Sequence, residues 1–308
     1  MILVGGENLI DFIECTDGTF SANLGGGPFN IAKAMARQGQ KVGDLTPIST
    51  DQMGERLAAD LAANGVALLA PRSESPTSLA LVTLIDGQPR YQFYRQKTAE
   101  RQVSTTLLNR IIPKAAKGFQ LGSLALTSGK DADVWAQMYR AMHKRGLLTA
   151  LDPNIRPGFI KNRQKYLARL EWVLKKTDLI KLSDEDMSWF DPKRSPMEAA
   201  ALMRARFGIP LLVLTKGAEG ATGITVAGTF DVPAPKADPF VDAVGAGDTF
   251  MGTLMAQLSS AGMCARAALE AATHDQLAPI LAMAAKAAAL NCQTSGCNPP
   301  YSADLQTR

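Results

Sequence analysis

Short apolar runs alternate with longer amphipathic segments along most of the chain. The runs ILVGG, KVGDLTPIS and VALLA are separated by the helical patterns NIAKAMARQG and MGERLAADLAANG. The rhythm resumes with FQLGSLAL, LLTALD, DLIKLS and PLLVLT, again with helical segments between them. Strand-length runs that alternate with helices are typical of βαβ units. The sequence therefore predicts an α/β fold with a doubly wound, mainly parallel sheet and helices on both faces.

Two segments depart from this rhythm. SLALVTLIDGQPRYQFYRQ indicates two strands joined at Asp86-Gly87, and FIECTDGTFSAN indicates a strand pair that turns at Asp17-Gly18. Asp-Gly between alternating strands is a strong hairpin signal. We predict that these segments, about residues 12–24 and 76–98, form a small β-sheet lid over the carboxyl ends of the parallel strands, where ligands bind in such folds. Surface hairpins without function are the alternative.

Composition narrows the class of protein. The chain has 308 residues, a net charge of +4 and 46% hydrophobic residues. It contains no basic run interleaved with aromatic residues, so we expect no nucleic-acid partner, and no apolar run long enough to span a bilayer, so we expect no membrane segment. MILVGGENLIDF lacks the basic start of a secretory signal, and the four cysteines lack paired metal-ligand spacing. These features predict a cytoplasmic protein with reduced thiols.

The segment FVDAVGAGDTFMG carries the strongest chemical signal. Gly245, Ala246 and Gly247 can turn successive backbone N–H groups toward one point, and a helix predicted to begin at Thr249 would add its positive dipole end. An anion is expected there, and Asp248 beside it can accept the proton of an attacking hydroxyl. A glycine-rich turn capped by an aspartate is the alternative interpretation. A P-loop is excluded because no GxxxxGK[ST] sequence occurs.

A second glycine-rich turn, LGGGPFN, precedes a predicted helix near the N-terminus. Gly26 and Gly27 permit close approach of a ligand to the backbone, and Asn30 offers both a donor and an acceptor to adjacent hydroxyls. Asp11, at the end of the first strand region, offers an acceptor for vicinal hydroxyls. A tight strand-to-helix turn and a turn carboxylate are the alternatives for these residues.

The two motifs GGGPFNIAKA and DAVGAGD, in this order and spacing, resemble the paired signatures of the ribokinase-like (PfkB) carbohydrate kinases. GENLIDF, TSLALVTL, YQFYRQKTAE, DPNIRP, IKLSDED and LTKGAEG resemble the matching segments of fructokinases within that family. The resemblance runs along nearly the whole chain. It implies one ribokinase-like three-layer α/β domain over residues 1–308, with the lid as an appendage.

The resemblance also implies roles for individual residues. Asp248 would be the general base, and the amides of Gly245, Ala246 and Gly247 would stabilise the transferring phosphoryl group. The residues implied to bind the sugar are Asp11, Gly26, Gly27, Asn30, Arg95 and Arg156. Those implied at the nucleotide are Ser183, Thr215, Gly217, Gly220 and Ala285. Asp186 would position Mg²⁺, largely through water, and Asp242 would help bind a monovalent cation such as K⁺.

Arg95 and Arg156 bear on the choice of substrate. Fructokinases resemble this chain at both positions, and so do kinases of 2-keto-3-deoxygluconate, which direct arginines at the acid group. Structural ion pairs are the alternative role for both side chains.

The expected activity is that of an ATP-dependent sugar kinase, closest in pattern to fructokinases. A kinase of 2-keto-3-deoxygluconate or of a ribosyl compound is the nearer alternative, and a non-catalytic sugar or nucleotide sensor is the alternative from another class. A dinucleotide-dependent oxidoreductase is disfavoured because no GxGxxG follows the first strand. The expected ligands are a small sugar, ATP, Mg²⁺ and K⁺, and the lid permits a homodimer.

Overall fold

The computed structural model describes residues 1–15, 17–85 and 88–306, with side chains described outside positions 84–91. The predicted Asp86-Gly87 turn lies outside the described residues. In chain order the strands are β1 (Ile2–Gly5), β2 (Leu9–Glu14), β3 (Phe20–Gly25), β4 (Val42–Asp44), β5 (Val66–Leu68), β6 (Ser78–Ile85), β7 (Gln88–Tyr94), β8 (Gly118–Gly122), β9 (Leu148–Asp152), β10 (Leu179–Ser183), β11 (Leu211–Thr215), β12 (Ala221–Thr225) and β13 (Gly228–Val232).

The helices alternate with these strands over most of the chain. They are α1 (Gly27–Arg37), α2 (Gln52–Ala63), α3 (Thr105–Ile111), α4 (Lys130–Lys144), α5 (Arg163–Leu174), α6 (Asp184–Phe190), α7 (Pro196–Phe207), α8 (Ala246–Ser260), α9 (Arg266–Ala271), α10 (His274–Asn291) and α11 (Ser302–Gln306). Within the described ranges, no helix combines the length and apolar character needed to cross a membrane.

Nine strands form the main sheet in the order β13-β12-β11-β10-β9-β8-β1-β4-β5. The strands from β11 to β5 pair in parallel, whereas β12 and β13 add an antiparallel edge. Parallel strands covered on both faces read as continuous apolar runs, and Ile2 and Val4 of β1 pack into one core layer while Leu3 packs into the other. The predicted three-layer, mainly parallel α/β fold is confirmed.

The second sheet has four strands in the order β3-β2-β6-β7. Its central pair, β2 and β6, is parallel, with Leu9 opposite Ser78. Leu9 and Ala80 pack with Leu124, which follows β8, so the sheet lies against the carboxyl end of the main sheet. Both strand pairs expected from the sequence therefore belong to one small sheet, separate from the main one.

One local expectation needs correction, and three elements were not predicted. Helix α8 begins at Ala246 and not at Thr249, because Gly245 adopts the left-handed conformation (φ 73°) and serves as the N-cap. The edge strands β12 and β13 are not evident from the apolar pattern, since ATGIT contains one large apolar residue and GTFDV contains two. The chain also returns to helix in α11 after the prolines at 299 and 300.

Candidate active site

The predicted base and the predicted sugar-binding asparagine meet at the carboxyl edge of the main sheet. Asp248 lies in the first turn of α8, and Asn30 lies in the first turn of α1. The Asn30 side-chain amide donates to Asp248 Oδ2 at 2.8 Å, and the Asn154 amide donates to Oδ1 at 3.4 Å. Two amides from distant parts of the chain therefore orient one carboxylate.

The protonation of Asp248 is set by opposing effects. The side chain is buried, and burial raises the pKa of its carboxyl; the hydrogen bond from Asn30 and the charges of Lys181 and Arg156 lower it, but burial prevails. A carboxylate with a raised pKa accepts a proton more readily than a solvated one. The geometry thus suits Asp248 to act as a general base.

The N-terminus of α8 presents open amides beside this base. Among the described residues, the Ala246 amide donates to the carbonyl of Ala243 at 3.2 Å, whereas the amides of Gly245 and Gly247 have no acceptor. Two of the three predicted amides are therefore available to a ligand. The 15-residue helix adds its positive dipole end at the same point, which is the arrangement that binds phosphate groups.

The predicted sugar-binding residues surround the same space. Gly26 has φ 113°, and a Cβ there would lie 2.4 Å from the carbonyl oxygen of Glu7, so only glycine fits this turn. A Cβ on Gly27 would lie 3.4 Å from Asp248 Oδ1 and 3.3 Å from Asn154 Nδ2. The bare backbone of Gly27 therefore leaves room in front of the base.

Asp11, on β2 of the small sheet, faces this space from the other side. Burial raises the pKa of its carboxyl to about 6, with a further increase from the charge of Asp248 and an opposing effect of Arg156. Asp11 and Asp248 are thus close enough to interact electrostatically. Two carboxylates that interact in this way suit a ligand that supplies hydroxyl donors to both.

Acid is expected to inactivate the site before it unfolds the protein. Only ionised Asp11 and Asp248 can accept from ligand hydroxyls, so kcat/KM for the sugar should fall as the pH drops below about 6. Because their folded-state pKa values lie above the unfolded ones, these carboxyls take up protons on folding. The contribution of Asp11 to stability therefore grows as the pH falls from about 6 toward 4, and that of Asp248 grows in the same direction. Initial rates and thermal melts over the same pH series should move in opposite directions; parallel loss would contradict this assignment.

Arg95 and Arg156 occupy different surroundings. Arg95 is buried and forms a two-pronged ion pair with Glu100, from Nε to Oε1 at 2.6 Å and from Nη2 to Oε2 at 3.2 Å. Arg156 is exposed, and its charge acts on Asp11 and Asp248. The structural ion pair considered as an alternative is thus present at Arg95, while Arg156 faces the site.

The residues predicted at the nucleotide lie along the ends of β10 and β11. Ser183 caps α6, and Asp186 completes the capping box: its Oδ2 accepts from the Ser183 amide at 3.1 Å, and its Oδ1 accepts from the Ile155 amide at 2.7 Å. Thr215 ends β11, and Gly217 and Gly220 follow it directly. Ala285 faces the core with 4% exposure, so contact with an adenine stays a prediction.

Asp242 joins two segments next to the open amides. Its carboxylate accepts from the amide of Val244 at 2.8 Å and from the amide of Gly296 at 2.9 Å. The side chain of Asn291 donates to the carbonyl of Val244 at 2.8 Å. These contacts hold the loop before α8 against the segment after α10, and with it the backbone that leads to the open amides of α8.

Three features of the site were not identified from the sequence. Asn154 is the second amide on Asp248; Glu7 is buried, with its Oε1 accepting from the Gly27 amide at 3.2 Å; and Lys181 pairs with Asp152 beneath α8 at 2.9 Å. Burial raises the pKa of Glu7 to about 8. Asn154 and Asp152 lie in DPNIRP, where their position directly after an apolar strand was the available signal.

Comparison with known proteins adds independent evidence. The model of the pfkB family carbohydrate kinases matches residues 1–304. A fructokinase from Rhizobium leguminosarum bv. trifolii is 37% identical over 267 residues, which cover 84% of this chain and 79% of that protein. The family match spans the glycine turn at α1, the small sheet and the start of α8.

Solved structures of similar proteins share the fold of this chain. A fructokinase with bound ATP from Xylella fastidiosa superposes with a TM-score of 0.90 at 26% identity, over 99% of this chain and 96% of that one. A fructokinase double mutant from Vibrio cholerae O395, solved with fructose, ADP and a potassium ion, shares the fold with a TM-score of 0.85 at 24% identity, over 99% and 96% of the two chains. The resemblance inferred from the two glycine motifs is confirmed: this chain belongs to the PfkB family of carbohydrate kinases.

Proposed function

We propose that this protein transfers the γ-phosphoryl group of ATP to a hydroxyl group of fructose. The observation that carries the proposal is the Asp248 carboxylate, fixed by the amides of Asn30 and Asn154 beside the open N-terminus of α8. The fructokinase from Rhizobium and the ATP-bound fructokinase from Xylella support the choice of acceptor and donor. We also propose that the protein is cytoplasmic, since ATP is available in the cytoplasm.

The reaction requires one proton transfer and one displacement. Asp248 takes the proton of the fructose hydroxyl, and the hydroxyl oxygen forms a bond to the γ-phosphorus as the bond to the β–γ bridging oxygen breaks. ADP leaves with the electron pair of that bond, and the proton passes from Asp248 to solvent. The amides of Gly245 and Gly247 would donate to the oxygens of the transferring group, where negative charge is spread in the transition state.

The residues present fit the two expected cations in different ways. Both oxygens of Asp186 accept backbone amides, so this carboxylate suits a Mg²⁺ ion that is held mainly by ATP phosphates and water. When bound, Mg²⁺ supplies charge neutralisation on the phosphates. Asp242 orders the loop carbonyls around Val244 and Gly296, a set of oxygens that suits K⁺.

The charges around the sugar favour a neutral substrate over a sugar acid. Both carboxylate oxygens of Glu100 already pair with Arg95 and neutralise its charge. Arg156 interacts electrostatically with two carboxylates, those of Asp11 and Asp248. A substrate carboxylate would have to displace Glu100 or sit among these acidic groups. We therefore favour fructose over 2-keto-3-deoxygluconate.

Replacing Glu100 with Gln is expected to relax this preference. The substitution keeps the shape of the side chain but frees the charge of the buried Arg95, so the KM for 2-keto-3-deoxygluconate should fall by about tenfold, as one charge-assisted hydrogen bond allows. The KM for fructose should change by less. Equal changes in both KM values would show that Arg95 lies too far from the substrate to select it.

The assay that tests the proposed function measures ADP release from MgATP with fructose, 2-keto-3-deoxygluconate, ribose and nucleosides, with and without potassium. Strong turnover with fructose supports the proposal. Turnover only with the keto acid would assign Arg156 to a carboxylate and overturn the choice of fructose. Silence with every sugar, while ATP still binds, would favour a sensor.

We also propose a homodimer that forms through the small sheet. Strands β3 and β7 are its edges, and they carry the half-exposed aromatic residues Phe20 and Tyr94. Unpaired strand edges with apolar side chains are suited to pairing with a second copy. Light scattering on the purified protein decides between a monomer and a dimer.

A further inference from the structure

A buried ion pair lies directly beneath the start of α8. Lys181 is on β10 and Asp152 ends β9, and the distance from Lys181 Nζ to Asp152 Oδ2 is 2.9 Å. The side chains are 5% and 1% exposed. Burial of a lysine and an aspartate costs free energy that their mutual attraction often fails to recover. A contribution to stability therefore does not explain why Lys181 and Asp152 are buried together.

The ammonium group of Lys181 lies close to the open amides at the start of α8. A Cβ placed on Gly247 would lie 3.1 Å from Lys181 Nζ, so the lysine packs against the backbone of the very residue whose amide is open. Gly247 itself is exposed. With only a glycine between them, a ligand at the open amides would face a buried positive charge on the other side of the backbone.

The electrostatic setting keeps this charge in place. Burial lowers the pKa of Lys181, but Asp152, Asp186 and Asp248 outweigh it and raise the pKa above its ordinary value. Burial raises the pKa of Asp152, and the charge of Lys181 opposes this effect. Lys181 thus remains positive, with Asp152 as its ion-pair partner.

The buried positive charge of Lys181 is unfavourable at this position unless an anion is bound at the start of α8. The N-terminus of a helix already carries a partial positive charge, and a cation placed beneath it is repelled. The arrangement is consistent if the ligand is strongly negative, since the ammonium and the helix then act on it together. A transferring phosphoryl group is such a ligand.

We propose that Lys181, held by Asp152, is a positioning residue that places a buried positive charge behind the amides of Gly245 and Gly247 and stabilises the phosphoryl group during its transfer. This inference rests on the proposed kinase reaction. Lys181 acts through the backbone of Gly247 and through Asp248, whose charge it also stabilises. The other charged groups that act on Asp248 from neighbouring elements are Asp11, Asp152 and Arg156.

The decisive variant is the double replacement Lys181→Met with Asp152→Asn. It removes both charges and keeps the side-chain shapes, so no unpaired charge is buried and the protein is expected to fold with a near-normal melting temperature. The kcat should fall by about 100-fold, the scale for losing one preorganised electrostatic contact in a phosphoryl or oxyanion site. The KM for fructose should stay within about threefold, because the sugar binds on the other side of Asp248.

The pH profile separates an electrostatic role from a merely structural one. Loss of the Lys181 charge should move the acid limb of the profile to higher pH, since Asp248 then holds its proton more tightly. The single variant Lys181→Met leaves Asp152 buried and unpaired, and any loss from misfolding there should be recovered in the double variant. If Lys181 served only packing, the double variant would recover kcat as well.

A partly buried ion pair elsewhere provides a control. Lys33 on α1 and Asp60 on α2 are also 2.9 Å apart, and their side chains are 9% and 27% exposed. The double variant Lys33→Met with Asp60→Asn should keep the wild-type kcat and acid limb. A wild-type kcat and pH profile in the Lys181→Met, Asp152→Asn protein would overturn the inference. If the wild type used another sugar instead of fructose, the proposed substrate would fail, while the same variants assayed with that sugar would still test Lys181.

Discussion

Replacing Asp248 with Asn is expected to lower kcat by about 10³- to 10⁴-fold, the range that general-base catalysis contributes. Asparagine keeps the shape and can still accept from the Asn30 amide, which now contacts Oδ2 at 2.8 Å. It cannot take the proton of the attacking hydroxyl. The KM values for sugar and ATP should change by only a few-fold, as steady-state kinetics and calorimetric binding would show.

The same substitution should make the protein more stable. Burial raises the pKa of Asp248, so the ionised carboxylate destabilises the fold at neutral pH, and a neutral side chain relieves that cost. The melting temperature should therefore rise while activity is lost. Asp248→Asn protein with more than a tenth of wild-type kcat would remove Asp248 from the role of base.

Asp44 gives a control for this pair of effects. It is also buried, its pKa is raised by burial to about 6, and it accepts from the Asn8 side-chain amide at 2.7 Å. It lies at the end of β4 and has no contact with the open amides of α8. Asp44→Asn should alter stability without the loss of kcat seen for Asp248→Asn.

Replacing Gly245 with Ala is expected to damage both the fold and the anion hole. Gly245 has φ 73°, and a Cβ there would lie 2.2 Å from Cys297 Sγ and 3.1 Å from Cys297 Cα. The left-handed conformation costs an alanine about 1–2 kcal/mol. The collision adds to this, because the backbone of the segment after α10 must move, so we expect a loss of about 3 kcal/mol or more in the free energy of unfolding.

The effect on catalysis should be comparably large. Moving the start of α8 displaces the amides of Gly245 and Gly247, and loss of one such donor lowers kcat by about 10²- to 10³-fold. Denaturant unfolding and initial rates measure the two effects. Adding Cys297→Gly to Gly245→Ala should restore part of the stability, since the nearest colliding atoms are then absent.

The variant Gly262→Ala is a control for the effect of the backbone conformation without the collision. Its φ is also 73°, but a Cβ there would have no described atom within 4 Å. Gly262→Ala should therefore cost only the conformational term of about 1–2 kcal/mol and leave kcat unchanged. Equal destabilisation by the two alanine substitutions would refute the close packing of Gly245 on Cys297.

The sequence predicted the parts of this protein that are encoded locally. The βαβ rhythm depends on runs of neighbouring residues, and the Asp17-Gly18 turn marks its hairpin within four residues, so both the main sheet and the small sheet could be anticipated. GAGD predicted the position of Asp248 beside the amides at the start of α8 for the same reason. The predicted start of α8 lies three residues too late because the cap is a backbone conformation of Gly245. No side chain in the sequence indicates that conformation.

Contacts between distant segments could not be predicted in this way. Lys181 reads as one polar residue in an apolar strand, and its partner Asp152 lies 29 residues earlier on the neighbouring strand. Nothing in a periodic pattern couples two such positions. The ion pair of Arg95 with Glu100 is closer in sequence, but its burial depends on Ser78 and Leu124, which come from other elements.

The pairing of β2 with β6 has a consequence for how the protein is made. Leu9 must find Ser78, so the small sheet cannot close until β3, α1, β4, α2, β5 and β6 have all been made. On a ribosome, both of these strands have been synthesised long before α8 emerges. The segments that carry Asp11 and Asn30 are thus made first, and Asp248 is made last of the three. A chain released before α8 would lack Asp248, and it would also lack the helix against which Ile31 and Ala34 of α1 pack.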